Sequence, residues 1–123
     1  MDLKAKPEPY NSVNLKNYCD FGWFDEYREV PLGQLLREEQ PKKVCEIGSW
    51  MGKSTRFIAQ TIADDGVVVA VDTWKGTLIE EHIPEVIDGL YDQFLSNVIH
   101  AGLCDKIRPI RMESHLAAAH LSE

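Results

Sequence analysis

The chain has few residues of the kinds that build disulfide scaffolds and metal sites. Its three cysteines, Cys19, Cys45 and Cys104, are odd in number, and none belongs to a Cys-x-x-Cys pair. Because disulfide frameworks and zinc ribbons need paired or closely spaced cysteines, we expect reduced, buried thiols in a cytoplasmic protein. The four histidines show no metal-ligand spacing, so we expect no metal site.

Positive charge and long apolar runs are also scarce. Lysine and arginine number 13 against 20 acidic residues, which gives a net charge of −7 and argues against nucleic acid as a partner. No apolar run approaches the roughly 20 residues that span a bilayer, and the first residues lack the apolar core of a signal peptide. With 123 residues, 44% of them hydrophobic, we expect one globular domain and no membrane partner.

The most informative stretch runs from Val44 to Thr55. A short apolar strand pattern contains an acid, Glu46, and leads through Gly48 and Gly52 into a helical pattern. Glycines let a turn pass close to a ligand, and the start of a helix offers free backbone N–H groups. This strand–turn–helix order is typical of a nucleotide-cofactor site; an ordinary strand-to-helix turn is the alternative.

Two phosphate-binding motifs resemble this turn without matching it. A P-loop has four residues between its first glycine and Gly-Lys-Ser/Thr, but only three separate Gly48 from Gly52. The Gly-x-Gly-x-x-Gly motif fails because Trp50 occupies its second glycine position. Glu46 favours a ligand that carries positive charge near the turn. Binding of a nucleoside triphosphate or nicotinamide cofactor through residues 48–54 is the less favoured alternative.

A second acid follows at the spacing of a βαβ unit. Residues 66–72 form a glycine turn and a β-branched run that ends at Asp72, which lies 72 − 52 = 20 residues after Gly52. In a βαβ unit, an acid at about this distance lies at the end of the second strand and binds ribose hydroxyls. A capping role for Asp72 is the weaker alternative, because two features agree in spacing.

The residues after this strand are Asp72-Thr73-Trp74, and Gly76 follows shortly. Together with Glu46-x-Gly48…Gly52, this order resembles a class I S-adenosylmethionine (SAM)-dependent methyltransferase, in the group with Asp-Thr-Trp-x-Gly after the second strand. The resemblance covers about residues 44–121. It implies SAM as the cofactor, held by Glu46, Gly48, Ser49, Gly52, Ser54, Asp72, Thr73, Trp74 and Glu113.

The resemblance also implies which part of SAM each group holds. Glu46 and the glycine turn would hold the methionine part, Asp72 the ribose, and the residue after Asp72 would flank the adenine. Glu113 corresponds to an acid that contacts the adenine amino group, and capping of the last helix is an equally favoured alternative. The catalytic residues are unknown; His82 and His115 lie near predicted strand ends and are only candidates for a general base.

Apolar periodicity predicts the remaining elements. We expect strands over residues 43–47, 67–72 and 107–112, and helices over 31–39, 53–63, 83–99 and 115–121, with a loop over 73–82. Pro109 has no N–H for strand pairing, which predicts an edge position for the third strand. The expected fold is α/β: a three-layer, Rossmann-like parallel sheet of about three strands in the order 3-2-1 with flanking helices.

The predicted domain organisation is an N-terminal arm or lid, residues 1–30, and a partial methyltransferase domain, residues 31–123. Simple packing of the arm on the sheet is the alternative to a lid. The family's complete sheet has seven strands, with the fourth beside the first, so we expect a truncated, cofactor-binding half. Its first strand would have an exposed edge, with Val44 and Ile47 poorly covered, which predicts a homo-oligomer joined along that edge.

The function implied by the resemblance is methyl transfer to a small molecule, with an oxygen as the favoured acceptor atom. The alternative is a catalytically inactive fragment or interaction module, which would share every local motif. The sequence therefore leaves enzymatic activity of this chain alone undecided.

Overall fold

The computed structural model describes residues 2–19, 22, 24–75 and 89–121. Two short 3-10 helices, Leu3–Ala5 and Tyr10–Ser12, begin this part of the chain. The elements that follow, in chain order, are α1 (Glu26–Glu39), β1 (Lys43–Ile47), α2 (Lys53–Thr61), β2 (Val67–Asp72), α3 (Leu90–His100), β3 (Ile107–Arg111) and α4 (Ser114–His120).

The three strands form one parallel sheet in the order β1-β2-β3. Ile47 pairs with Val71, and Asp72 pairs with Arg111, so the carboxyl ends of all three strands meet at one edge of the sheet. The predicted α/β class and strand order are confirmed. Pro109 lies in outer strand β3, as its missing N–H predicts.

The central strand β2 is buried on both faces, which explains its continuous run of β-branched residues. Val68 and Ala70 pack into the main core with residues of α1, α2 and α3. Val69 and Val71 pack on the opposite face against Ala117 of α4. The described helices therefore pack on both faces of the central strand.

Strand β1 is less well covered. Val44 packs against the main core, but Ile47 is 58% exposed and Cys45 is also exposed, because the α4 cluster on that face is built on β2. Among the described residues, β1 pairs with β2 alone. The expectation of poor cover holds for Ile47 and not for Val44. The expectation of buried thiols was wrong for Cys19 and Cys45; only Cys104 is buried.

Helix α1 begins earlier than its apolar pattern predicts. The Asp25 carboxylate accepts the Arg28 N–H at 3.3 Å and caps the helix, and Glu26 and Glu29 add negative charge to the first turn. Pro31 therefore lies inside α1 instead of beginning it, and the predicted domain limit at residue 30 falls within this helix.

Two other predicted helices differ from the structure or extend beyond its described residues. Helix α2 ends at Thr61, two residues before the predicted end. The apolar stripe is helical from Leu90 onward, whereas Ile83, Val86, Ile87 and the loop residues 76–82, His82 included, lie outside the described residues. None of the helices that the structure describes is long and apolar enough to cross a membrane.

Candidate functional site

The turn between β1 and α2 has an unusual backbone. Gly48, Trp50 and Gly52 all have positive φ, at 82°, 53° and 87°. A Cβ on Gly52 would lie 2.9 Å from Cε2 of Phe94 in α3, so the close approach of turn and helix requires glycine here. A Cβ on Gly48 would meet none of the described residues within 4 Å, so this glycine borders open space in that part of the structure.

Glu46 lies near the end of β1 and is held by the first turn of α2. One carboxylate oxygen accepts the Ser54 hydroxyl and the other accepts the Thr55 hydroxyl. These bonds fix the direction of the carboxylate without neutralising its charge. The site therefore contains a fixed negative group, as a ligand with a positive centre requires.

Asp72 ends β2 and clasps the same turn from the neighbouring strand. One carboxylate oxygen accepts the Trp50 N–H at 2.9 Å and the other accepts the Trp74 N–H at 2.8 Å. The Gly48 N–H donates to the Val71 carbonyl at 2.8 Å and joins the two strand ends directly. The two acids that the sequence singles out therefore lie near the same end of adjacent parallel strands, on either side of the glycine turn.

The Trp74 side chain is part of the main hydrophobic core. Its indole is 2% exposed, lies 4.8 Å from the rings of both Tyr91 and Phe94, and donates from Nε1 to the Trp50 carbonyl at 2.6 Å. Trp74 therefore contacts the glycine turn through the Trp50 carbonyl. Thr73 is half-buried at the start of the following loop, where its hydroxyl accepts the Lys75 N–H at 3.3 Å.

A cavity of about 210 Å³ opens beside the turn. Ser49 lines it and is only 2% exposed, and among the described residues its hydroxyl has no hydrogen-bond partner. Such a group costs about 1–3 kcal/mol unless a ligand supplies a partner. Among the described residues, the lining is Gly22, Phe24, Arg28, Gly48, Ser49, Trp50, Lys53 and Ser54.

Residues 1–30 are predicted as an arm or lid, but sequence reasoning named no site residue among them, and three of them line the cavity. Arg28 lies in the first turn of α1, and Gly22 and Phe24 come just before that helix. Asp25 followed by Glu26 is a helix-start signal that could have extended α1 and brought Arg28 into consideration. With Lys53, Arg28 gives the cavity two positive side chains.

Glu113 lies apart from the lining of this cavity. It is exposed, occupies the N-cap position of α4 without a side-chain capping bond, and its carboxylate is 3.3 Å from Nε2 of His115. Glu113 therefore occupies the capping position that the alternative expects, although its side chain makes no capping bond, and Ser114 is the first helical residue. His115 is exposed, with its ring at this carboxylate.

The geometry disfavours a phosphate loop. The N–H groups of Gly48, Trp50 and Gly52 donate to the Val71 carbonyl, the Asp72 carboxylate and the Ser49 carbonyl. A P-loop needs its backbone N–H groups for the phosphates. Three amides of this turn are already used within the protein.

The fold and the site define a Rossmann-like α/β protein with an acid-flanked glycine turn at the carboxyl ends of its strands. A family model described as a methyltransferase domain matches residues 45–123. The chain therefore belongs to this methyltransferase family. The comparison with curated proteins found no match.

Three solved structures share the fold. A protein from Klebsiella pneumoniae assigned as an O-methyltransferase is 19% identical, with a TM-score of 0.64 over 82% of this chain and 40% of that one. The Bacillus cereus O-methyltransferase bound to SAH, the demethylated product of SAM, is 22% identical, with a TM-score of 0.58 over 80% and 39%. The third is the SAM complex of the O-methyltransferase TomG of tomaymycin synthesis from Streptomyces achromogenes.

TomG is 20% identical, with a TM-score of 0.55 over 71% of this chain and 33% of TomG. The chain therefore spans about a third to two-fifths of the length of each of these structures.

Proposed function

We propose that this chain is the SAM-binding part of a methyltransferase that acts on an oxygen of a small-molecule acceptor. The observation that carries the proposal is the position of Glu46 and Asp72 near the carboxyl ends of adjacent strands, where Asp72 bonds the glycine turn and Glu46 bonds the helix that follows it. The family match and the SAM and SAH complexes of the similar structures support it.

The residues present fit this cofactor. Ser49 offers a buried hydroxyl without a partner among the described residues. Gly48 has no side chain, so the open space beside it is available to a ligand. A sulfonium and an ammonium group are suited to the fixed Glu46 carboxylate, and Arg28 and Lys53 are suited to the cofactor's own carboxylate. The proposed binding set is Glu46, Gly48, Ser49, Gly52, Ser54, Asp72, Thr73 and Glu113, with Trp74 as a support of the turn and Arg28 and Lys53 added.

SAM, when bound, supplies an electrophilic methyl group, and the contribution of this chain is to hold and orient it. Each Asp72 oxygen retains capacity to accept a ribose hydroxyl in addition to its backbone N–H. Alignment of donor and acceptor accounts for a large part of such catalysis. We assign no general base among the described residues, since His115 is exposed and lies at Glu113.

The calorimetric test uses SAM and SAH, with ATP as the comparison ligand. The proposal predicts saturable heat for SAM and SAH and none for ATP. The control is Asp65→Asn, which removes one negative charge from an exposed ion pair with Lys42 and should bind like the wild type. A folded protein that gives no heat with SAM or SAH at millimolar concentration would contradict the proposal; binding without turnover on an acceptor panel would support the inactive alternative.

We further propose that the protein is cytoplasmic and forms a twofold homodimer along β1. Free thiols at Cys19, Cys45 and Cys104 fit a reducing compartment, and the exposed Ile47 side chain lies beside the open strand edge. Light scattering should give twice the chain mass for the wild type and one chain mass for Ile47→Lys. A wild type that stays at one chain mass at high concentration excludes the dimer.

A further inference from the structure

Helix α3 carries a row of polar side chains within its apolar pattern. Gln93, Ser96, Asn97 and His100 recur at spacings of three and four residues, which places them along one side of the helix. Ser96 and Asn97 are fully buried. Buried polar side chains need hydrogen-bond partners, and here these partners include residues 16–19. Residues 16–19 are the part of the predicted N-terminal arm that docks on α3, and we call this part the arm.

The first half of the arm is bound at three points. Ser96 Oγ accepts the Lys16 N–H at 2.8 Å, and His100 Nε2 lies 2.9 Å from the Lys16 carbonyl. Gln93 Nε2 donates to the Asn17 carbonyl at 2.8 Å. These side chains satisfy the backbone of the arm much as a neighbouring strand would.

Asn97 binds both the end of the arm and the glycine turn. Its Oδ1 accepts the Cys19 N–H at 3.0 Å, and its Nδ2 donates to the Cys19 carbonyl at 2.8 Å. The same Nδ2 donates to the Met51 carbonyl at 3.0 Å. One buried amide therefore joins the arm to a residue between Trp50 and Gly52.

Arg56 makes a second connection between the same two segments. Its Nη1 donates to the Met51 carbonyl at 2.9 Å, and its Nη2 donates to the Tyr18 hydroxyl at 3.1 Å. The guanidinium also lies 5.2 Å from the centre of the Tyr18 ring. The Met51 carbonyl is thus held by two side chains, and each of them also holds the arm.

We propose that Asn97 is a positioning residue that couples docking of the arm to the shape of the glycine turn. Release of the arm would loosen the turn at Met51 and weaken ligand binding, although no residue of the arm lines the cavity among the described residues. A partner that captures residues 16–19 would then lower affinity for the ligand. The coupling itself does not depend on the proposed function; only its effect on SAM affinity does.

Amide hydrogen exchange on two matched variants tests the coupling without any ligand. Asn97→Asp keeps an acceptor for the Cys19 N–H but loses the donor to the Cys19 and Met51 carbonyls. Ser96→Ala removes an equally buried arm contact that does not reach the turn. Asn97→Asp should raise exchange by about tenfold in each of the two segments, the arm and residues 50–52, because each segment loses one buried hydrogen bond from Asn97. Ser96→Ala should raise exchange in the arm alone.

Two exchange results would overturn the proposal. In the first, Asn97→Asp loosens the arm but leaves the turn within about twofold of the wild type. In the second, Ser96→Ala loosens the turn as much as Asn97→Asp does. If Asn97→Asp does not fold, native-state hydrogen exchange of the wild type tests the coupling instead. The Cys19 and Gly52 amides should then share one opening equilibrium. A turn that opens while Cys19 stays protected would contradict the coupling.

Titration with SAH then measures the effect on the ligand. The dissociation constant should rise about tenfold or more in Asn97→Asp, with little change in Ser96→Ala. An unchanged dissociation constant in a folded Asn97→Asp whose turn exchanges faster would contradict the ligand part of the proposal. Absence of SAH binding in the wild type would count against the proposed function, while the exchange results would still decide the coupling.

Discussion

The Asp72 carboxylate accepts the backbone N–H of Trp50 at 2.9 Å, across the gap between the end of β2 and the middle of the glycine turn. The bond links two sequence features that lie 22 residues apart. Because the second carboxylate oxygen accepts the Trp74 N–H, one side chain sets both the turn after β1 and the loop after β2.

Asp72→Asn should therefore reduce stability as well as affinity. An amide has one acceptor atom, so one of the two backbone N–H groups would face an NH₂ group instead of an oxygen. We expect a loss of about 1–3 kcal/mol in the free energy of unfolding, measured by urea denaturation. Asp65→Asn serves as the charge-matched control, and equal stability of the two variants would show that Asp72 does not hold the turn.

Three glycine-to-alanine variants separate backbone strain from steric contact. Gly48, Gly52 and Gly102 all have positive φ, and only at Gly52 would a Cβ collide with a neighbour. Each variant should lose about 1 kcal/mol of stability from backbone strain, and Gly52→Ala should lose more from its contact with Phe94.

The same variants also report on the site. Gly48→Ala should weaken SAH binding, because its new methyl group enters the open space beside the turn, whereas Gly102→Ala should bind SAH like the wild type. Equal affinities for Gly48→Ala and Gly102→Ala would show that no ligand approaches Gly48.

Ser49→Ala should weaken ligand binding without lowering the stability of the protein. The Ser49 hydroxyl is buried without a partner among the described residues, so its removal should leave the thermal unfolding midpoint unchanged or raise it. If a ligand group bonds this hydroxyl, the variant should bind SAH about five- to tenfold more weakly. A variant that loses stability but keeps wild-type affinity would place the hydroxyl outside the site.

Tyr10→Phe should change how stability depends on alkaline pH. Burial raises the pKa of the Tyr10 phenol well above its ordinary value of 10.0. The unfolded chain therefore loses this proton first, and the stabilising effect is fully present below pH 10 and declines as the pH rises further.

The variant also loses the bond from the Tyr10 hydroxyl to the Ile107 carbonyl, 2.6 Å long, at a cost of about 1 kcal/mol near neutral pH. Its unfolding free energy should then fall less steeply than that of the wild type above pH 10. Parallel pH curves would contradict the assignment. Burial also raises the pKa values of Tyr91 and Cys104, so these groups contribute to the slope of both proteins.

The strand–turn–helix unit and the second acid could be predicted because each depends on local residue order. Strand β1 has the bounds that its apolar pattern predicts, and Asp72 ends β2 as the spacing requires. Glycine placement and the lengths of βαβ units constrain such features within about 30 residues of sequence.

Features that depend on distant segments could not be predicted in the same way. In the sequence, Asn97 and Ser96 only interrupt an apolar stripe, and their role becomes clear from their hydrogen bonds to the arm. Arg28 lines the cavity from the first turn of α1, which begins at Glu26, earlier than the sequence predicts. Trp74 was expected at the ligand, but packing against Tyr91 and Phe94 draws its indole into the core.

The most direct test of the central claim is an NMR titration of the ¹⁵N-labelled protein with SAH. If the acid-flanked turn is the cofactor site, the largest amide shifts will fall in residues 48–54 and 72–75, with smaller changes in the arm. Shifts confined to other parts of the sheet, or no shifts at millimolar SAH in a folded protein, would contradict a SAM site at this turn.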